Sequence, residues 1–307
     1  MSLRFLTTRF ASMLLSAWIV VTIVFFLARI TGDPVSLLLS DTATDAEIIE
    51  LRIRYGLDEP LIAQYARFIG RAVQGDFGRS IRHMEPAFQA VLRYMPATIE
   101  LALASILVAT VLGISAGVLA ATRPGSGFDA LVMGFAVLGQ SMPVFWQGLM
   151  AMLVFGVILG WLPISGRGDL AHLVLPALTL GTTQMAIFAR LSRAGTLEQL
   201  RQDYVRTARS RGVREVVILW RHVLPNAAIP LVTQMGLSFG ALLAGSVITE
   251  TIFAWPGVGR FALQAVYNRD FPVVQATVFL VAMIFLVINF IVDIAYTFLD
   301  PRTSVEA

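Results

Sequence analysis

The sequence predicts an all-α integral membrane protein with six transmembrane helices and both termini in the cytoplasm. Three observations carry this. Of 307 residues, 57% are hydrophobic and 14% charged, with a mean hydropathy of +0.75; a soluble globular chain is typically ~45–50% apolar and ~25% charged. Six charge-free stretches reach or approach the ~20 residues that cross ~30 Å of hydrocarbon. Arginines fall unequally on the two sides that these stretches define.

The elements follow in order. Residues 10–28 are apolar behind Arg4 and Arg9. This run is longer than a signal-peptide core and no A-x-A site closes it, so an uncleaved first helix in 1–30 is expected. Residues 31–96 are hydrophilic, with nine acids and seven arginines, and are expected outside the cytoplasm. Within them, 44–54 and 61–73 read as short amphipathic helices, with Asp41 or Thr44 capping the first. Turns are expected at Tyr55-Gly56-Leu57-Asp58-Glu59-Pro60 and Gly75-Asp76-Phe77-Gly78. Residues 97–299 hold five further spans, at 101–121, 130–166, 170–189, 223–249 and 271–292. The 37-residue third run would be ~55 Å long as one helix, too long for one span and too short for two. Trp161-Leu162-Pro163 is expected to end it, with the remainder at the interface. Residues 300–307 form a cytoplasmic tail. In this arrangement 12 arginines lie in short inner segments and three in short outer loops, which places both termini inside.

Small and polar residues at depth are informative. Gly113 and Gly117, and Gly236 and Gly240, form G-x-x-x-G pairs, the second extended by Ala244 and Gly245. Such faces let helices approach closely in lipid; generic packing and a face toward a partner or pathway both fit. Gly139-Gln140-Ser141-Met142-Pro143 lies in the third run, with Trp146 and Gln147 one turn on; Thr182, Thr183 and Gln184 lie in the fourth. Pro143 removes a backbone donor and frees the Gly139 carbonyl, a break tolerated where protein or water re-satisfies the backbone. Two readings stand. Gln140, Ser141, Gln147, Thr183 and Gln184 line a path, or the break is a kink held by neighbouring helices.

Residues 190–224 hold eight arginines against Glu198, Asp203 and Glu215. Thr196-Leu197-Glu198-Gln199 fits a capping box. Asp203 can cap a helix over 204–211, ended by Gly212. A second helix is expected to bury Val213, Val216, Val217, Trp220, Val223 and Leu224 on one face, and Pro225 to stop it. The unit is a compact knob, apolar underneath and cationic outside. It can set topology, bind anionic headgroups or couple the chain to a soluble motor.

Several classes are excluded by composition. All 23 basic residues are arginine, so there is no P-loop and no Schiff-base lysine. Cysteine is absent, and with it disulfides and thiolate ligands. His83, His172 and His222 are far apart, and no metal site or cofactor is expected in the chain. The small charged fraction argues against nucleic-acid binding. An intramembrane enzyme would need paired carboxylates or a His/Asp or Ser/Lys pair at depth. An ion-coupled secondary transporter would keep an ionisable group there; Glu250 and Asp293 lie near span ends.

Tyr204-Val205-Arg206-Thr207-Ala208-Arg209-Ser210-Arg211-Gly212, followed by His222-Val223-Leu224-Pro225-Asn226, resembles the "EAA" loop of bacterial ABC importer permeases. It is similar to the form found in the dipeptide/oligopeptide/nickel branch. Arg206-Thr207-Ala208 stands at the EAA position without the acidic residue, and Leu224-Pro225-Asn226 replaces the branch's more frequent Leu-Arg-Asn. Six motifs before and after the loop resemble that branch's B-type permease: Gly32-Asp33-Pro34, Gly75-Asp76-Phe77-Gly78-Arg79-Ser80, Pro96-Ala97-Thr98-Ile99-Glu100, Gly139-Gln140-Ser141-Met142-Pro143, Glu250-Thr251-Ile252-Phe253-Ala254-Trp255-Pro256-Gly257-Val258-Gly259 and Leu299-Asp300-Pro301, with Tyr55-Gly56-Leu57-Asp58 as a seventh.

The resemblance implies a type I importer permease in the bacterial inner membrane, half of a path for short peptides. Nickel complexes, glutathione or oligosaccharides are the alternatives. It implies a second homologous permease, two ABC ATPase subunits that bind ATP and magnesium, and an extracytoplasmic substrate-binding protein. It assigns ATPase coupling to Tyr204, Arg206, Thr207, Ala208, Arg209, Gly212, His222, Pro225 and Asn226. On this reading the small faces of the second and fifth spans meet the second permease.

Overall fold

The computed structural model describes residues 3–30 and 58–299. The stretch 44–54, the motif Gly32-Asp33-Pro34, the first part of the turn at 55–60 and the tail 300–307 lie outside the described residues. The regular elements of the described residues are helices: α1 (Leu3–Ile30), α2 (Leu61–Val73), α3 (Ala87–Thr122), α4 (Gly127–Ser141), α5 (Val144–Ile158), α6 (Leu170–Leu200), α7 (Asp203–Ser210), α8 (Glu215–Ile218), α9 (Leu224–Gly245), α10 (Val247–Ile252), α11 (Val258–Tyr267) and α12 (Phe271–Leu299). Four of these, α1, α3, α6 and α12, are long and apolar enough to cross a membrane, and two bent pairs bring the number to six if each is one span.

The amphipathic α2 occupies the expected residues, and the following turn has Gly75 at φ +74° and Gly78 at φ +89°. Elsewhere the structure corrects the expectations. The helix carrying the second span starts at Ala87, so it begins within the hydrophilic segment 31–96. The third run is sharply bent, and its second helix ends at Ile158, just before Trp161. Its two halves, α4 and α5, meet at 109°. Pro143 cannot continue the helix and holds Met142 extended at φ −80°, ψ 132°. The fifth run bends by 52° between Glu215–Ala228 and Pro230–Leu243.

Packing between helices is close where glycines allow it. A Cβ on Gly113 would lie 2.6 Å from the Met185 carbonyl oxygen, and one on Gly117 would overlap the Ala189 carbonyl and Ser192 Oγ. The second span is therefore seated on α6. Gly236 meets Val292, and Gly240 meets Phe285. The small face of the fifth span thus packs on α12 of the same chain, and a seam with a second permease through Gly240 is overturned: the bulky side chains of α12 already fill it.

Two polar groups of contacts mark the ends of the bundle. At one end Ser80 Oγ donates to Asp270 (2.5 Å), Arg167 pairs with Glu100 (2.5 Å) and Arg82 donates to Asn268 (3.0 Å). Close by, Glu250 is fully buried. It accepts from Thr98 Oγ1 (2.7 Å), Ser246 Oγ (2.8 Å) and the Arg260 N–H (2.8 Å), while Trp255 Nε1 donates to the Ala97 carbonyl (2.8 Å). These bonds lock the turn between α10 and α11 onto α3. At the other end Arg9 pairs with Asp293 (3.2 Å) and Arg193 with Asp129 (2.5 Å).

Candidate functional site

The arginine-rich loop folds into the expected knob with different internal contacts. Thr196 caps nothing: it is buried in the interior of α6, which runs on to Leu200. The residue before α7 is Gln202, with extended backbone; Asp203 sits in the first turn, where its carboxylate receives Arg206 at 3.2 Å. Gly212 adopts φ +75°, a region open to glycine at little cost. It reverses the chain between α7 and α8.

The buried side of the knob is Val205, Ile218 and Val223, with Ala208 and Val213 packed against them. Val216, Val217 and Trp220 are exposed. Val216 and Val217 precede the π-helical stretch Leu219–Val223 and turn away from the buried Ile218. Within the stretch the wider turn brings Val223, five residues on, to the side of Ile218 and leaves Trp220 outside. Pro225 does not stop the helix either. It lies within the continuous helical run Glu215–Ala228, directly after the π-helical stretch.

Three of the nine residues assigned to coupling meet at one carbonyl. Asn226 Nδ2 donates to the His222 carbonyl (2.8 Å), and Tyr204 Oη reaches the same oxygen (3.3 Å). This ties α7 to the root of α9. Thr207 Oγ1 donates to the Asp203 carbonyl (3.0 Å) within the helix. Arg209 forms two bonds with Glu215 (2.7 and 3.1 Å) across the Gly212 turn. The guanidinium holds the Glu215 carboxyl below its ordinary range. Arg206, Thr207, Ser210 and Arg211 are exposed, so the outer side of α7 is cationic and uncovered.

The residues proposed for a path fall into two groups. Gln147 Nε2 donates to the carbonyls of Gly139 and Met142 (both 2.9 Å). It satisfies the backbone acceptors that the Pro143 break frees. Gln140 and Ser141 stand exposed at the break; Ser141 Oγ donates to the Val137 carbonyl (2.8 Å). A Cβ on Gly139 would lie 3.0 Å from Thr182, so the break and the α6 hydroxyls share one level. Thr183 is half-buried there. Gln184 Oε1 accepts from Ser238 Oγ (2.8 Å), which also receives Gln234 Nε2 (3.3 Å).

Sequence reasoning missed Gln234 and Ser238. Their signal was an i, i+4 polar pair on the face of the fifth span opposite Gly236 and Gly240. It missed Asp129 as well, since Asp129 lies just outside a charge-free run. Among the described residues no cluster of His, Asp and Glu could hold a metal ion.

Comparison with known proteins places this geometry. Residues 113–305 match the family described as the binding-protein-dependent transport system inner membrane component, and residues 2–102 match the N-terminal region of such membrane components. The chain is 41% identical to the di/tripeptide transport system permease protein DppB of Pseudomonas aeruginosa (strain UCBPP-PA14), over 98% of each chain. It is 42% identical to the glutathione transport system permease protein GsiC of Escherichia coli (strain K12), over 97% of this chain and 98% of that one. Among solved structures, an inward-facing MetNI methionine ABC transporter chain aligns with a TM-score of 0.59 at 21% identity, over 70% of this chain and 99% of that chain. At that identity the likeness concerns the fold.

Proposed function

We infer that this chain, which belongs to the family of binding-protein-dependent transport inner membrane components, is the permease of an ABC importer that carries short peptides across the bacterial inner membrane. The observation that carries the cargo is the near full-length similarity to di/tripeptide and glutathione permeases. Glutathione is itself a tripeptide, so both relatives point to solutes built of amides. The polar groups at depth suit such a solute. Gln140, Ser141, Thr183 and Gln184, joined by Ser238 and Gln234, are uncharged and offer donors and acceptors. They can exchange hydrogen bonds with a peptide without trapping it as a charge would. Gln147 acts on the path by holding the bend.

Import in this reading is driven from outside the chain. Two ABC ATPase subunits bind ATP and magnesium and dock on the exposed cationic side of α7. A second homologous permease completes the path, and an extracytoplasmic binding protein delivers the solute to the end marked by Ser80, Asp270 and Arg167. Both termini then lie in the cytoplasm. The knob is built for force transfer. Tyr204 and Asn226 fasten α7 to α9 through the His222 carbonyl, and α6 enters it after a two-residue turn. Motion of the ATPases therefore reaches two spans at once.

The test is uptake in cells deleted for the chain. Loss of labelled di- and tripeptide uptake with free amino-acid uptake intact is expected. Intact peptide uptake with loss of another nutrient would overturn the cargo and keep the permease.

A further inference from the structure

Helices converge on one stretch of α6, residues 189–196. Gly117 of α3 seats against Ala189 and Ser192, and a Cβ on Gly195 would lie 3.6 Å from Ala227 of α9. Ser192 and Thr196 are fully buried. On the remaining side Arg193 reaches α4, with Nε 2.5 Å from Asp129 Oδ1 and a terminal nitrogen 2.6 Å from Oδ2. Asp129 is 4% exposed. It also accepts the Gly125 N–H (2.9 Å), and its own N–H goes to Ser126 Oγ (3.2 Å).

Helix α4 has little else to hold it. Its buried residues are Asp129, Ala136 and Gly139, a single stripe. Gly139 meets Thr182 and Asp129 meets Arg193, so the stripe lies on α6. Phe128, Leu131, Phe135, Val137 and Leu138 are uncovered by this chain. Among the described residues of α4, Asp129 makes its one ion pair to another helix. Breaking such a pair would leave a buried charge unmatched, so the contact resists separation. Both ends of the pair lead to the proposed machinery. From Arg193, α6 runs unbroken to Leu200 and turns into α7. From Asp129, α4 runs ~18 Å to the break bearing Gln140 and Ser141.

We propose that the Asp129–Arg193 pair is a positioning clamp that makes α4 travel with α6, so that displacement of the cytoplasmic knob moves the break in the third apolar run. The clamp rests on the permease reading above, and it neither touches the solute nor hydrolyses ATP. A pair that merely stabilised the fold would lower transport and ATP hydrolysis together. A clamp separates them.

The experiment uses the full transporter in vesicles with its loaded binding protein. Asp129→Asn is expected to keep ATP hydrolysis while labelled peptide taken up per ATP falls about tenfold. The reversed pair, Asp129→Arg with Arg193→Asp, is expected to regain most of it. The chain has no cysteine, so Gly139→Cys with Thr182→Cys reports the α4–α6 contact directly. With Asp129 intact, the cross-link should form equally with and without ATP; with Asp129→Asn, ATP should reduce it. An unchanged peptide-to-ATP ratio in Asp129→Asn would overturn the clamp. So would an ATP-dependent cross-link in the chain with Asp129 intact, which decides the matter even where the single variant fails to assemble. Wild-type vesicles that hydrolyse ATP and take up no peptide would overturn the cargo, and the cross-link would still judge the clamp.

Discussion

Gly257→Ala isolates the buried carboxylate at the α10–α11 turn. Gly257 has φ −100° and ψ 174°, a conformation alanine adopts freely, so any cost comes from space. A Cβ there would overlap the carboxyl group of Glu250. Either the turn shifts, an overpacking cost of ~1–3 kcal/mol, or the carboxylate swings away. In the second case Thr98 Oγ1, Ser246 Oγ and the Arg260 N–H lose their shared acceptor, at ~1–3 kcal/mol for each donor left unsatisfied. The chain takes the cheaper route, so a loss of about 1–3 kcal/mol is expected. Thermal unfolding of the purified protein in detergent should show it as a midpoint lower by roughly 2–5 °C. Gly127→Ala is the control, because a Cβ there meets nothing within 4 Å; its midpoint should equal or exceed that of the wild type. A Gly257→Ala protein within ~0.5 kcal/mol of wild type would refute the locked turn.

Other substitutions probe the knob and the bundle. Gly212→Val forces a β-branched residue to φ +75°, a local strain of ~1–3 kcal/mol; membrane insertion should persist while ATP hydrolysis in the reconstituted transporter no longer drives uptake. Gly240→Leu drives bulk into Phe285 and should lower the stability of this chain by ~1–3 kcal/mol, read as a lower unfolding midpoint, while any surviving folded protein still co-purifies with its partner. The Arg209–Glu215 pair gives a pH signature. Since Arg209 lowers the Glu215 carboxyl from its ordinary value of 4.5, its contribution is complete above that value and lost as pH falls through the lowered one. Glu215→Gln should therefore melt slightly below wild type at neutral pH, with the gap closing in acid; the effect is small because Glu215 is 64% exposed.

What was legible in the sequence was local. Leu61–Val73 was bounded by a proline and a glycine turn, and its apolar period needed no neighbour. Gly212 was marked by the chain reversal between two helical patterns. What was illegible depended on who packs against whom. The G-x-x-x-G spacing revealed a small face at Gly236 and Gly240, yet nothing in it names Phe285 and Val292 as the residues that fill it. Asp129 stands just outside an apolar run, and nothing near it in sequence names its partner Arg193, 64 residues away. Val216 and Trp220 were assigned to the buried face because a regular helix was assumed. The buried face in fact runs through Ile218 and Val223, five residues apart across a π-helical stretch that no residue type announces.

The Gln147 bridge bears on how this chain is made. The break, the carbonyls it frees and the amide that satisfies them all lie between Gly139 and Gln147. The bend is therefore self-sufficient in hydrogen bonding and draws on no later part of the polypeptide. In the hydrocarbon, an unsatisfied carbonyl costs several kcal/mol, and a nascent chain has no sixth helix to help it. By completing its own backbone accounts within nine residues of chain, the segment can enter the bilayer already turned, before the helices that will surround it have been synthesised.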